Sequence, residues 1–132
     1  MLFVMKENKI LIEIDKPVKE VFEFTINPKN TPLWISNIQE EISTEYPPVV
    51  GTIYKNRGDV GEWDFYKVIE FKKNQLFTMK ISDGNYHVRY TYKKLSDVKT
   101  EMEYFEWVEK GELENPFTQD VLNKLKEVIE IK

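Results

Sequence analysis

The side chains able to do chemistry are few in some types and abundant in others. There is one histidine, His87, and no cysteine. Zinc sites built from His and Cys therefore lack ligands. A Ser–His–Asp relay would need His87 as its base. The two-residue turn signal at Asp83-Gly84 places His87 with Arg89 and Lys93 on the polar face of a hairpin, which argues against that role. Carboxylates are plentiful. Glu40-Glu41 and the series Glu101, Glu103, Glu106 supply oxygen ligands of the kind a carboxylate-only metal site uses, yet such series read first as solvated faces. One acid–base option stays open: Glu103 or Glu106, turned inward by a shift of register opposite tyrosines, would make a proton shuttle. Tyr54, Tyr86, Tyr90 and Tyr92 come near one surface, and buried hydroxyls there need partners. A cavity holding ligand or water would supply them, and so would the rim of a sheet. Arg57-Gly58-Asp59 reads as a turn between strands. No glycine-rich phosphate loop is present, and no cofactor is expected.

The chain has 132 residues, of which 41% are hydrophobic and 14% aromatic. That suits a single domain over 1–132 with a real core. Nineteen Lys+Arg against 23 Asp+Glu give a net charge of −4. With no basic block, the balance argues against nucleic acid. The lack of cysteine removes any disulfide framework and fits a reducing cytoplasm. Met1-Leu2-Phe3-Val4-Met5 is apolar but short, without a basic leader, and Lys6-Glu7 interrupts it; it does not read as a signal peptide. No apolar run approaches a membrane span, so no integral membrane association is expected. Monomer and homodimer both remain open.

The elements that must position these groups follow from periodicity. Ile10, Ile12 and Ile14 alternate as in a half-buried strand. Asp15 and Pro17 stop it, and Val18, Val21, Phe22 and Thr25 then follow helical spacing up to Asn27-Pro28. A short helix or turn covers Lys29 to Ile35. Strands are expected near 38–45, 51–57, 62–71, 75–82, 85–95 and 98–109, an antiparallel meander with breaks at the glycines and at Pro47-Pro48. The final stretch reads as one helix from Asn115, a capping residue, and Pro116, suited to the first helical position. At about 100° per residue, Phe117, Val121, Leu122, Leu125, Val128 and Ile129 share an arc of about 140°. Thr118 is the polar residue within that arc.

The Asp83-Gly84 turn also sets a register. Phe77, Met79, Ile81, Tyr86, Val88, Tyr90 and Tyr92 share one apolar face, while Thr78, Lys80, His87 and Arg89 share the other. Arg89 then reads as an ordinary surface residue. Two strands are ambiguous. In 62–71, Trp63, Phe65, Ile69 and Phe71 oppose Tyr66 and Val68. In 98–109, parity continued across Ser96-Asp97 turns Glu101 and Glu103 inward. The favoured alternative turns Thr100, Met102 and Tyr104 inward, because an unpaired buried carboxylate costs several kcal/mol. Phe105 and Trp107 then face outward and, with Trp63, could form an apolar patch for a partner.

The order of one strand, two helices, six strands and one helix resembles the START-like (SRPBCC) superfamily. This is the helix-grip fold of Bet v 1-type allergens, polyketide cyclase and dehydratase proteins, and START lipid-transfer domains. Ile12-Glu13-Ile14-Asp15-Lys16-Pro17-Val18-Lys19-Glu20-Val21-Phe22 is similar to the family's opening strand and first helix. Asn27-Pro28 followed by Pro32-Leu33-Trp34-Ile35 resembles its second helix, and Val50-Gly51-Thr52-Ile53-Tyr54 an early strand. The resemblance implies an α+β fold: a curved antiparallel sheet of about seven strands around a long C-terminal helix. It also implies a cavity between sheet and helix that binds a small hydrophobic or amphipathic molecule. The positions it suggests for ligand contact are Trp34, near the pocket mouth, and Tyr54, Phe77, Met79, Tyr86, Tyr90, Tyr104, Phe117, Val121 and Leu125. Two alternatives accompany that reading, a protein-interaction module and a polyketide cyclase- or dehydratase-like enzyme.

Overall fold

The structure, a computed structural model, describes residues 5–131. The expectation for Met1–Val4 lies outside the described residues. One sheet of seven antiparallel strands holds β1 (Glu7–Ile14), β2 (Glu40–Ser43), β3 (Ile53–Arg57), β4 (Asp64–Lys72), β5 (Leu76–Ile81), β6 (Tyr86–Ser96) and β7 (Lys99–Val108) in the order β1-β7-β6-β5-β4-β3-β2. Helix α1 (Val18–Ile26), a single 3-10 turn (Pro28–Asn30) and α2 (Thr31–Trp34) lie between β1 and β2, and α3 (Gln119–Ile131) follows β7. Among the described residues no helix is long and apolar enough to cross a membrane.

Local chemistry accounts for the first half. Ile10, Ile12 and Ile14 of β1 turn to the core, as alternation requires. Pro17 then offers its carbonyl to the amides of Glu20 and Val21 at 3.0 and 3.1 Å, opening α1. The helix buries Val21, Phe22 and Thr25. Asn30 Nδ2 donates to the Phe24 carbonyl at 3.1 Å, satisfying an end that α1 would leave open.

The β5–β6 hairpin forms in the expected register, with Phe77 opposite Tyr90 and Met79 opposite Val88. Gly84 sits at φ +83°, and its amide donates to the Ile81 carbonyl at 2.9 Å, closing the turn. Two bulges resolve the ambiguous strands. In β4, Val68 pairs with Met79 but Glu70 with Thr78, so Ile69 is an extra residue. Tyr66 and Val68 therefore face inward before the bulge, and Phe71, opposite Phe77, after it. In β6, Ser96 pairs with Lys99 but Lys94 with Thr100, so Leu95 is extra. That shift puts Met102 opposite Tyr92 and Tyr104 opposite Tyr90. Thr100, Met102 and Tyr104 are buried, as the favoured register predicts.

The last helix begins later than the sequence suggests. Asn115 takes a left-handed φ of +51° rather than a capping conformation. The Phe117 amide is engaged by Glu106 Oε2 at 2.8 Å, and its carbonyl accepts from Asn8 Nδ2 at 2.8 Å. These sheet-directed bonds hold Pro116 and Phe117 in a loop, and Thr118 is exposed. The expected apolar face survives from there: Leu122, Leu125 and Ile129 are buried, each worth about 1.5–3 kcal/mol of burial. The helix lies against β1 and α2.

Candidate functional site

A cavity of about 510 Å³ opens between the sheet and the segments that cross it. Phe77, Met79, Val88, Tyr90 and Tyr104 line it from β5, β6 and β7, and Tyr54 and Tyr66 from β3 and β4. Thr25 of α1, Ile35 and Ile38 after α2, and Phe117 of the β7–α3 loop border the same space. Its mouth lies where the β3–β4 loop (Gly58), the β5–β6 turn (Asp83) and the β7–α3 loop (Glu112, Glu114) meet. The volume falls within the range of small-molecule sites.

Glu106 is the central polar residue of this wall and is only 2% exposed. Its Oε2 accepts from Asn8 Nδ2 at 2.9 Å and from the Phe117 amide at 2.8 Å. Its Oε1 accepts from the Tyr86 hydroxyl at 2.7 Å and, more distantly, from Tyr104 at 3.4 Å. The two phenol oxygens lie 3.2 Å apart. One carboxylate thus joins β1, β6, β7 and the loop before α3. The Phe117 ring, held there, stacks on Tyr104 at 4.5 Å with the planes 2° apart.

Glu41, on β2, borders the same cavity. It accepts from Thr31 Oγ1 at 2.6 Å and Asn56 Nδ2 at 3.1 Å. Burial raises its pKa above the ordinary carboxylate value, while those two bonds act the other way. The tyrosines respond to the same environment. Burial, then the charge of Glu106, raises the Tyr86 phenol, and burial, then Glu41, raises Tyr54 and Tyr90. All are therefore neutral donors at physiological pH. Tyr54 donates to the Ile26 carbonyl at 2.7 Å, and Tyr92 shares a hydrogen bond with Thr25. Tyr90 is 6% exposed, and its hydroxyl has no hydrogen-bond partner among the described residues.

The structure sorts the positions suggested by sequence. Tyr54, Phe77, Met79, Tyr86, Tyr90 and Tyr104 border one cavity, and Phe117 joins them from the loop. Trp34 does not stand at its mouth. It is buried behind Tyr90 and Phe117, with ring centroids 6.2 Å from each and an unpartnered Nε1. Val121 and Leu125 pack in the core under α3 and do not border the cavity, because the helix starts past the segment that crosses it.

The sequence reads Glu106 first among solvated carboxylates, with an inward position opposite tyrosines as the open alternative, and the alternative is the one found. The signal was present: Glu106 is in step with Thr100, Met102 and Tyr104, so the register that turns those inward turns it inward too. Glu41 and Tyr66 carried no comparable signal.

The opposite sheet face is also organised. His87 stacks on Trp107 at 4.6 Å, and Trp107 on Phe105 at 5.1 Å. Arg89 lies over both Phe105 and Trp107 at 5.3 Å, so it is more than an ordinary surface residue. Lys9 covers Phe105, and Lys55 and Arg57 cover Trp63. The outward aromatics are thus half-buried beneath cations rather than forming a bare apolar patch.

No protein-family model and no curated protein matches the sequence. Solved structures do match the fold. A START superfamily protein from Mycobacterium smegmatis superposes with a TM-score of 0.74 at 12% identity, covering 96% of this chain and 98% of that one. Ara h 8.0201 gives 0.64 at 13% identity, covering 96% and 99%. A polyketide-cyclase-like protein from Corynebacterium glutamicum gives 0.58 at 22% identity over 79% of this chain and 66% of that chain. With its seven-stranded antiparallel sheet, paired short helices and C-terminal helix, the chain has the START-like helix-grip fold.

Proposed function

We propose that the protein binds a small amphipathic molecule in the cavity. The observation that carries this reading is the cavity of about 510 Å³ itself, walled by aromatic rings with the Tyr86, Tyr90 and Tyr104 phenols among its lining. The Tyr90 hydroxyl borders this space with no side-chain partner among the described residues, so it is free to bond a polar group of a bound molecule. The surrounding rings supply apolar contact, so polar specificity and apolar affinity coincide in one space. Tyr54, Phe77, Met79, Tyr86, Tyr90, Tyr104 and Phe117 act as contact residues. Trp34 supports them from behind, while Val121 and Leu125 fix the helix. The fold of the neighbours agrees with this reading by analogy, since fold alone does not set function.

The test is native mass spectrometry of the purified protein, followed by denaturing extraction. An added mass that leaves on denaturation is expected. Val88→Trp, which places an indole in the cavity, should abolish it while the fold is retained by circular dichroism. A variant that keeps the added mass would refute the cavity as its location.

Acid–base catalysis is a second reading, favoured by one observation: Glu106 sits beside two tyrosines in the cavity wall. It requires that the bound molecule be converted. Recovery of an unaltered mass after prolonged incubation would rule it out for that molecule.

A further inference from the structure

The charge lining the cavity has one sign. Among the described residues it is bordered by six carboxylates, Glu41, Asp64, Asp83, Glu106, Glu112 and Glu114, and by no lysine, arginine or histidine. The whole chain has 19 basic residues against 23 acidic ones, so this imbalance is local. Within the wall, the hydrogen-bond donors to Glu41 and Glu106 are all neutral: hydroxyls, side-chain amides and one backbone amide. Lys55 and Arg57, on the neighbouring strand β3, are turned to the other face, against Trp63 and Glu40. Two wall carboxylates therefore stand without a counter-cation.

The aromatic part of the wall fits the same ligand charge. Tyr54, Tyr66, Tyr86, Tyr90 and Tyr104 all border the cavity, and aromatic faces attract cations. The Tyr90 hydroxyl adds an independent pointer, being unpartnered on a residue only 6% exposed. The Tyr66 phenol reports how the charges converge. Burial, then Asp64, Glu41 and Glu106, raise its pKa. Asp64, Asp83, Glu112 and Glu114 are exposed at the mouth, where like charges focus a field that draws cations in and repels anions.

We infer that the cavity takes organic cations, its ligand being an amphipathic molecule whose protonated amine or quaternary ammonium head meets the Glu41–Glu106 wall and the tyrosine rings while its apolar body lies on Phe77, Met79 and Val88. This rests on the cavity-binding reading and adds the charge of the ligand to it. A fatty acid of the same length places a carboxylate against like charges, an arrangement that lowers affinity.

The experiment compares decyltrimethylammonium, decanol and decanoate by isothermal titration calorimetry, each below its micellar concentration. The protein is used as purified, after removal of any co-purifying mass. The cation should bind about tenfold tighter than decanoate, equivalent to about 1.4 kcal/mol, with decanol between them. Glu41→Gln should remove most of that preference, bringing the affinities for the cation and for decanoate together. Decanoate binding as tightly as the cation, with decanol also bound, would overturn the charge assignment and leave the cavity reading standing. A preference that persists in full in Glu41→Gln would also overturn it. No binding of any of the three would overturn both.

Discussion

Replacing Glu106 by alanine tests the anchor of the whole site. The substitution removes three short hydrogen bonds, from Asn8 at 2.9 Å, the Phe117 amide at 2.8 Å and Tyr86 at 2.7 Å, and a longer one from Tyr104. Bonds to a charged acceptor contribute about 1.5–3 kcal/mol each, so the three short ones total about 4.5–9 kcal/mol before other terms. The alanine protein no longer has to desolvate a carboxylate, which returns several kcal/mol. Water entering from the cavity re-satisfies part of the orphaned set. The net loss is about 3 kcal/mol, near the lower limit for breaking a buried charged contact. For a chain of this length that corresponds to a fall in Tm of about 10 °C.

Urea titration gives the free energy, and amide hydrogen exchange gives the mechanism. The Phe117 amide should lose protection first, because Glu106 Oε2 is its acceptor. Glu106→Gln keeps one acceptor oxygen and should recover about half of the loss. A cost below about 1 kcal/mol for Glu106→Ala, or unchanged exchange at Phe117, would refute Glu106 as the staple between sheet and loop.

Two further outcomes follow from groups at opposite faces of the sheet. Arg89→Ala should destabilise by about 1 kcal/mol, more than a neutral surface change, because the guanidinium covers Phe105 and Trp107 as well as facing Glu70 at 4.0 Å; a thermal melt indistinguishable from the parent would deny the stack any energetic role. Glu41 has its pKa raised in the folded state, so the folded protein binds that proton more tightly than the unfolded chain. Its contribution is most favourable below the unfolded carboxylate value and is lost as pH rises through the raised one. Glu41→Gln should therefore be more stable than the parent at pH values above the raised pKa and should flatten the decline in stability that begins above the ordinary carboxylate range. Parallel Tm-versus-pH curves for the two proteins would contradict this.

The elements were legible where one period runs unbroken. Ile10, Ile12 and Ile14 alternate over a whole strand, and Leu122, Leu125 and Ile129 repeat over a whole helix, so each declared its buried face. Phe117 misled because helical spacing is counted along the chain, whereas its amide and carbonyl bind Glu106 and Asn8, about a hundred residues away from the latter in sequence. Long-range partners of that kind override a capping signal such as Asn115-Pro116. The position of the cavity followed from that: with Pro116 and Phe117 in a loop, the segment crossing the sheet presents one ring rather than a helical face.

The polar half of the site was hidden by two single-residue insertions. Strand parity has only two values, so one extra residue exchanges the faces of everything beyond it. At Ile69 the exchange lets Val68 and Phe71, which have opposite parity, both face the core. At Leu95 it does more. Without the bulge, Tyr92 would lie opposite Glu101 or Glu103, and the carboxylates would enter a core where Met102 is now fully buried opposite Ile12. With it, Met102, Tyr104 and Glu106 turn inward together. The first fills the core, the second lines the cavity, and the third meets the donors of Asn8, Tyr86 and Phe117. The cost that disfavours an unpaired buried carboxylate is met here by placing Glu106 where four donors converge. The rule that keeps unpaired carboxylates out of a core thus holds along β7: Glu101 and Glu103 turn away from it, and Glu106 turns inward only where its donors are waiting.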